Sequence, residues 1–269
     1  MLLSVDHVTR YFYDQPVRAV VQSHRLTPSV FEGQKVLDWQ VTVTDGLPGG
    51  AFRDGAGDRV QGWSVQGPLT EIEVRVTGRV ETFDLAGVLR GHRESVSPLC
   101  YLDDTMPTRA DTALVELARN AMGEEATLAA AHRLSDAVAD AIRWTPGVTE
   151  ACTTAAEALA LGEGVCQDHA HALIAVARAS GLPARYVSGY LMSGSEGATG
   201  DAAHAWAEIW IEGLGWVGFD PTNRCCPDDR YIRLGSGMDA QEAAPIRGVA
   251  RGAGQESLDV SVAVQLAEQ

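Results

Sequence analysis

The chain has 269 residues, of which 45% are hydrophobic and 21 Lys and Arg stand against 36 Asp and Glu, a formal charge of -15. That length buries a substantial core without disulfides or metals, as one large domain or two modest ones. The negative charge argues against nucleic acid or an anionic membrane surface as a partner, and no apolar run reaches the roughly 18 residues needed to span a bilayer.

The first residues, MLLSVDHVTRYFYDQPV, carry no basic start or sustained apolar stretch of the secretory kind. Five cysteines, at 100, 152, 166, 225 and 226, show no repeated spacing. Reduced thiols and a cytoplasmic location are therefore expected. Residues 1–95 alternate apolar and polar with period two in LSVDHVTRYFYD, KVLDWQVTVTD and TEIEVRVTGRVETFDL, separated by glycine-rich turns, which predicts a β-rich N-terminal domain, a sandwich or barrel. Leu37, Trp39, Val41 and Val43 are expected to face inward together.

Residues 90–110 carry two prolines and no clear period, as a connection does. Beyond them, ADTALVELARNAMG, EEATLAAAHRLSDAVADAIRW and TTAAEALALG repeat apolar residues at three- and four-residue spacing and predict helices. In the last of these, a threonine N-cap with Glu157 and a stop at Gly162 are expected. A fourth helix opens at Cys166 and ends before Gly181 and Pro183, and period two then returns in ARYVSGYLM, HAWAEIWI, WVGFD and SLDVSVAVQL. The expected fold class is α+β: residues 96–269 form helices packed on an antiparallel sheet, with a C-terminal strand.

The stretch GEGVCQDHAHAL holds the chemistry. A thiol becomes a strong nucleophile as the thiolate, and unpaired N–H groups at a helix start favour that form. The Cys166 N–H is a candidate oxyanion donor, and Gly162 and Gly164 would give the backbone a sharp turn with room for a substrate. His204, in AHAWAEIWI, and Asp220, at the end of WVGFD, supply a base and a carboxylate to orient it. If the EGLG turn pairs Ile211 with Trp216, Asp220 falls opposite Ala207, roughly 10 Å along the strand from His204, and a bulge at Gly218 or an offset pairing has to close the gap.

Other residues have competing readings. His169 is the alternative base, or else a surface or supporting residue, and His171 a partly buried support. On a helix these two point about 200° apart, so no shared metal ion is expected. Trp206 and Gln167 are candidate substrate contacts. Cys100, Cys152, Cys225 and Cys226 are read as inert thiols, and no cofactor is expected.

The blocks GEGVCQDHAHALIAVARASGLPARYVSGYL and AHAWAEIWIEGLGWVGFDPTN resemble the transglutaminase-like superfamily. HVTRYFYDQPV resembles the β-rich N-terminal region of bacterial members, and RYIRLGSG with APIRGV their C-terminal part. The resemblance implies a papain-like core with Cys166, His204 and Asp220 as a catalytic triad acting on a peptide or protein substrate. Ala240 and Ala250 stand where an aromatic residue is common, and His169 where an aromatic or other apolar one is. Three functions are compatible: a cysteine peptidase or amidase, a protein-glutamine transglutaminase, and a binding module on the same scaffold.

Overall fold

The computed structural model describes residues 1–123, 127–192 and 202–267. The first strand, β1 (Leu2–His24), buries Leu3, Val5, His7, Thr9, Tyr11 and Tyr13 on one face and leaves the residues between them more open. This is the signature of a strand with one face in the core. β2 (Gln34–Val43) and β3 (Gly46–Arg53) follow, then β4 (Arg59–Thr82), which pairs antiparallel with nearly the whole of β1 and carries β2 and β3 along its other edge.

The expected inward set on β2 holds in part. Val43 is buried, and Trp39 and Val41 pack against the core, but Leu37 is 45% exposed. The register shifts between Val36 and Asp38, so Leu37 is the extra residue of a bulge and drops out of the alternation.

The helical segment holds α1 (Thr112–Met122), α2 (Leu128–Ala141), the short β5 (Arg143–Trp144), α3 (Ala155–Leu161), the short β6 (Glu163–Gly164) and α4 (Cys166–Ala179). Glu124 to Ala126, placed by the sequence at the start of the second helix, lie outside the described residues. α3 has the expected capping box between Thr154 and Glu157 and closes on Gly162 at φ +70°. α4 is buried on every side from Asp168 to Arg178 rather than along one stripe, because α1, α2 and α3 surround it and β7 and β8 lie beneath.

That sheet runs antiparallel in the order β10 (Tyr231–Gly237), β7 (Ala184–Leu191), β8 (Ala203–Ile211), β9 (Gly215–Phe219). The last strands, β11 (Ile246–Arg251) and β12 (Glu256–Leu266), then return to pair with β1. The C-terminal strand thus extends the N-terminal sheet rather than the core sheet. Among the described residues the N-terminal strands form one open sheet, neither closed into a barrel nor doubled within residues 1–95. The apolar face of this sheet is covered instead by Tyr190, Ala202, Ile232 and Leu234 of the core. No helix among the described residues is long and apolar enough to cross a membrane.

A buried ionic network ties these layers together. Glu208 of β8 accepts Arg185 Nε at 2.7 Å and Arg233 Nε at 2.8 Å, and Arg233 continues to Asp58 at 2.7 Å. Arg185 also reaches Glu94 and lies 4.0 Å over the Trp216 ring. Each charge has an opposite partner, which makes its burial tolerable.

Candidate active site

Cys166 is the first residue of α4 and is partly exposed. The helix start is fixed by Asp168, whose Oδ2 accepts the Val165 N–H at 2.8 Å and the Thr149 hydroxyl at 2.6 Å. A Cβ at Gly164 would lie 2.8 Å from the Asp168 Cβ, so the space this glycine leaves is taken by Asp168 rather than held open for a substrate. Gln167 Nε2 donates to the Ala151 carbonyl at 3.0 Å, tying the same turn to the loop before α3.

His204 lies near the start of β8 and Asp220 just beyond β9. Their placement depends on the turn between the two strands. Ile211 pairs with Gly215, not with Trp216, so the loop holds three residues, and Gly213 and Gly215 have φ of +82° and +85°. This one-residue change sets Phe219 opposite Ala207 and moves Asp220 towards the Trp206 level, on the same face as His204. A diagonal neighbour two residues away is within side-chain reach. His204 Nε2 meets Asp220 Oδ2 at 2.6 Å. The β8–β9 ladder is regular, so of the two expected ways to close the gap the offset pairing is present and the bulge at Gly218 is not. Gly218 serves another purpose: a Cβ there would strike Pro227 at 2.9 Å, so its lack of a side chain lets the following loop fold back closely.

The electrostatics follow from burial. The His204 side chain is 8% exposed and that of Asp220 fully buried. Burial opposes a charged imidazole, but hydrogen bonding and charge from Asp220 and from the neighbouring Cys166 outweigh it and raise His204 to about 9. Burial likewise opposes the Asp220 carboxylate, and His204, Asn223 and Tyr231 overcome it, holding Asp220 below the usual range. With Nε2 committed to Asp220, Nδ1 is the ring nitrogen outside that bond. The structure thus joins His204 of β8 to Asp220 beyond β9, and Cys166 at the start of α4 acts on the same imidazole.

Residues 115–221 match the transglutaminase-like superfamily, and residues 3–81 the bacterial transglutaminase-like N-terminal region. An uncharacterized protein of Mycobacterium leprae is 31% identical over 277 residues, spanning 97% of this chain and 98% of its own. The chain belongs to the transglutaminase-like superfamily. A protein-glutamine gamma-glutamyltransferase of Pseudomonas aeruginosa is 39% identical over 72 residues, 24% of this chain and 11% of that one. Among solved structures, a candidate cysteine protease from Cytophaga hutchinsonii shares the fold, with a TM-score of 0.77 at 23% identity over 100% of this chain and 91% of that one.

In this transglutaminase-like chain the remaining sequence candidates take supporting places. Trp206 is 2% exposed and stacks near His204, with centroids 6.4 Å apart, so it backs the imidazole rather than walling an open cleft. His169 is 2% exposed, and its ring nitrogens meet the carbonyls of Val165 at 2.9 Å and Ile142 at 2.8 Å. It is neither a surface residue nor a free base. His171 accepts the Ala240 N–H at 3.0 Å, and burial lowers it to about 4, so it is neutral at pH 7.

Two neighbours of Asp220 escaped the sequence reading. Asn223 donates from Nδ2 to Oδ2 at 2.7 Å, and Tyr231 donates its hydroxyl to the same oxygen at 2.8 Å. The DPTN turn was a signal for Asn223, since a proline after the aspartate folds the chain back on it. Tyr231 had no local signal, because it arrives through the placement of β10 in the sheet.

Proposed function

We propose that this protein is a thiol-dependent acyl-transfer enzyme that hydrolyses peptide or side-chain amides. The observation that carries the reading is the 2.6 Å contact between His204 Nε2 and buried Asp220, which fixes the imidazole and leaves Nδ1 to exchange a proton with Cys166. The Cys166 sulfur gives its proton to His204 and attacks the amide carbonyl, forming a C–S bond while the C=O electrons move onto oxygen. The Cys166 N–H, at the start of the helix where such groups lack an intrahelical partner, stabilises that oxygen. Collapse breaks the C–N bond, and His204 delivers its proton to the leaving amine. Water, deprotonated by His204, then attacks the thioester; the acid leaves and the thiol is restored.

Water needs no second substrate pocket, which favours hydrolysis. Acceptance by an amine is the second reading, motivated by the P. aeruginosa gamma-glutamyltransferase. Incubation with a panel of glutamine-containing peptides and a fluorescent amine separates them. Chain cleavage or ammonia release without label gives hydrolysis, and label incorporation gives transfer. Neither product across the panel, with Cys166 no more reactive towards iodoacetamide than Cys225, leaves a binding module and contradicts the enzyme. The five free cysteines fit action in the reducing cytoplasm, which subcellular fractionation tests; recovery outside the cytoplasm counts against it.

A further inference from the structure

We propose that Tyr231 is a positioning residue of this site, acting on the cysteine chemistry only through the carboxylate of Asp220; the assignment rests on the Cys166–His204–Asp220 reading above. A single oxygen, Asp220 Oδ2, takes three donors: His204 Nε2 at 2.6 Å, Asn223 Nδ2 at 2.7 Å and Tyr231 OH at 2.8 Å. Among the described residues Oδ1 accepts only the Asn223 N–H, at 3.3 Å. The donors come from three places in the chain: His204 from β8, Asn223 from the turn after β9, and Tyr231 from the first residue of β10. A carboxylate held by histidine alone could swing about its Cβ–Cγ bond. Donors approaching from separate elements fix its plane, and with it the direction in which Nδ1 faces the sulfur.

Tyr231 suits this task better than a residue that merely fills space. It is 5% exposed, and its ring meets Trp206 edge-on at 5.5 Å, while Trp206 lies in turn beside His204. Burial and the Asp220 charge push the phenol well above its ordinary range, so the hydroxyl keeps its proton and remains a donor at any working pH. That proton goes to Asp220, and the remaining lone pairs face the Cys225 sulfur at 3.4 Å. The titratable groups around the carboxylate are therefore His204 from β8, with Cys166 of α4 behind it, Tyr231 from β10 and Cys225 from the loop. Tyr231 spreads the carboxylate's charge as well as holding its plane, and both effects reach the sulfur through His204.

Tyr231→Phe keeps the ring and its contact with Trp206 and removes only the hydroxyl. The test reaction is acetyl transfer from 4-nitrophenyl acetate to Cys166, followed by 4-nitrophenolate release, in four proteins: the parent, Tyr231→Phe, Asp220→Ala and the double variant. The variant is expected to slow acetylation roughly 3- to 10-fold in the parent background, the scale of one ordinary net hydrogen bond because the effect reaches the sulfur only through His204, and to slow Asp220→Ala less than about 1.5-fold further. In the same variant the pH at which His204 loses its proton should rise by roughly half a unit, because the carboxylate keeps more of its charge. That titration is followed by NMR of the imidazole signal that disappears in His204→Ala. An equal loss in both backgrounds, or an unmoved titration in a variant that melts like the parent, overturns the assignment. Acetylation of the parent that does not depend on His204 overturns the underlying site reading, and it does so whatever Tyr231→Phe does.

Discussion

Glu208→Gln probes how the two sheets are held together. Glu208 is 3% exposed and faces two buried guanidinium groups, with Arg185 at 2.7 Å and Arg233 at 2.8 and 3.2 Å. A glutamine of the same size retains one oxygen and sets an NH₂ group against donors that have nowhere else to turn. Breaking one side of a buried pair costs about 3–5 kcal/mol; with Asp58 and Glu94 still in place, the lower figure, about 3 kcal/mol, is expected. At roughly 2 °C per kcal/mol for a chain of this size, the melting temperature at pH 7 should fall by about 6 °C. The pH dependence has a definite sign. Burial opposes the Glu208 carboxylate, but Arg233 and Arg185 outweigh it and lower Glu208 to about 2. A carboxylate depressed on folding stabilises above its unfolded value and loses that effect as pH falls through the folded one. The gap between parent and variant should therefore hold above about pH 4.5 and shrink towards pH 2. Thermal and urea unfolding across that range measure it. A difference below about 2 °C at pH 7, or one that does not narrow with acid, would show that the network does not contribute as described.

The imidazole has the opposite sign. His204 is raised to about 9, so its contribution to stability is complete below the unfolded value near 6.5 and disappears as pH rises through about 9. Denaturant titrations should show the parent's advantage over His204→Ala narrowing across that window, and a gap that widens would contradict the assignment. Gly215→Ala places a Cβ at φ +85° and should cost about 1–2 kcal/mol, with slower acetylation of Cys166 because the turn sets the Asp220 register; unchanged stability and rate would separate the turn from the site. Asp168→Ala removes two bonds at the start of α4 and should lower stability by about 1–2 kcal/mol and slow Cys166, read by melting and by iodoacetamide labelling; unchanged labelling would mean that Asp168 does not hold the nucleophile.

The local part of the design was legible in the chain itself. The period-two alternation of β1, the capping box at Thr154 and the helix opening at Cys166 all follow from near neighbours, and each is present. What escaped the sequence depends on register or on distant packing. Leu37 drops out of its row because of a bulge, and one residue in the 212–214 turn decided which face Asp220 occupies. The return of β11 and β12 to β1 spans more than 200 positions, and no local pattern encodes it. Tyr231 reaches Asp220 for the same kind of reason, since only the assembled sheet, with β10 and β9 at its two edges, carries its hydroxyl to the carboxylate.

The most direct measurement is peptide-level mass spectrometry after brief exposure to 4-nitrophenyl acetate at neutral pH. A catalytic Cys166 paired with His204 predicts an acetyl group on the Cys166 peptide of the parent, with little at Cys100, Cys152, Cys225 or Cys226, and its loss in His204→Ala. Acetylation spread evenly over the exposed thiols, or unchanged at Cys166 once His204 is gone, would contradict it.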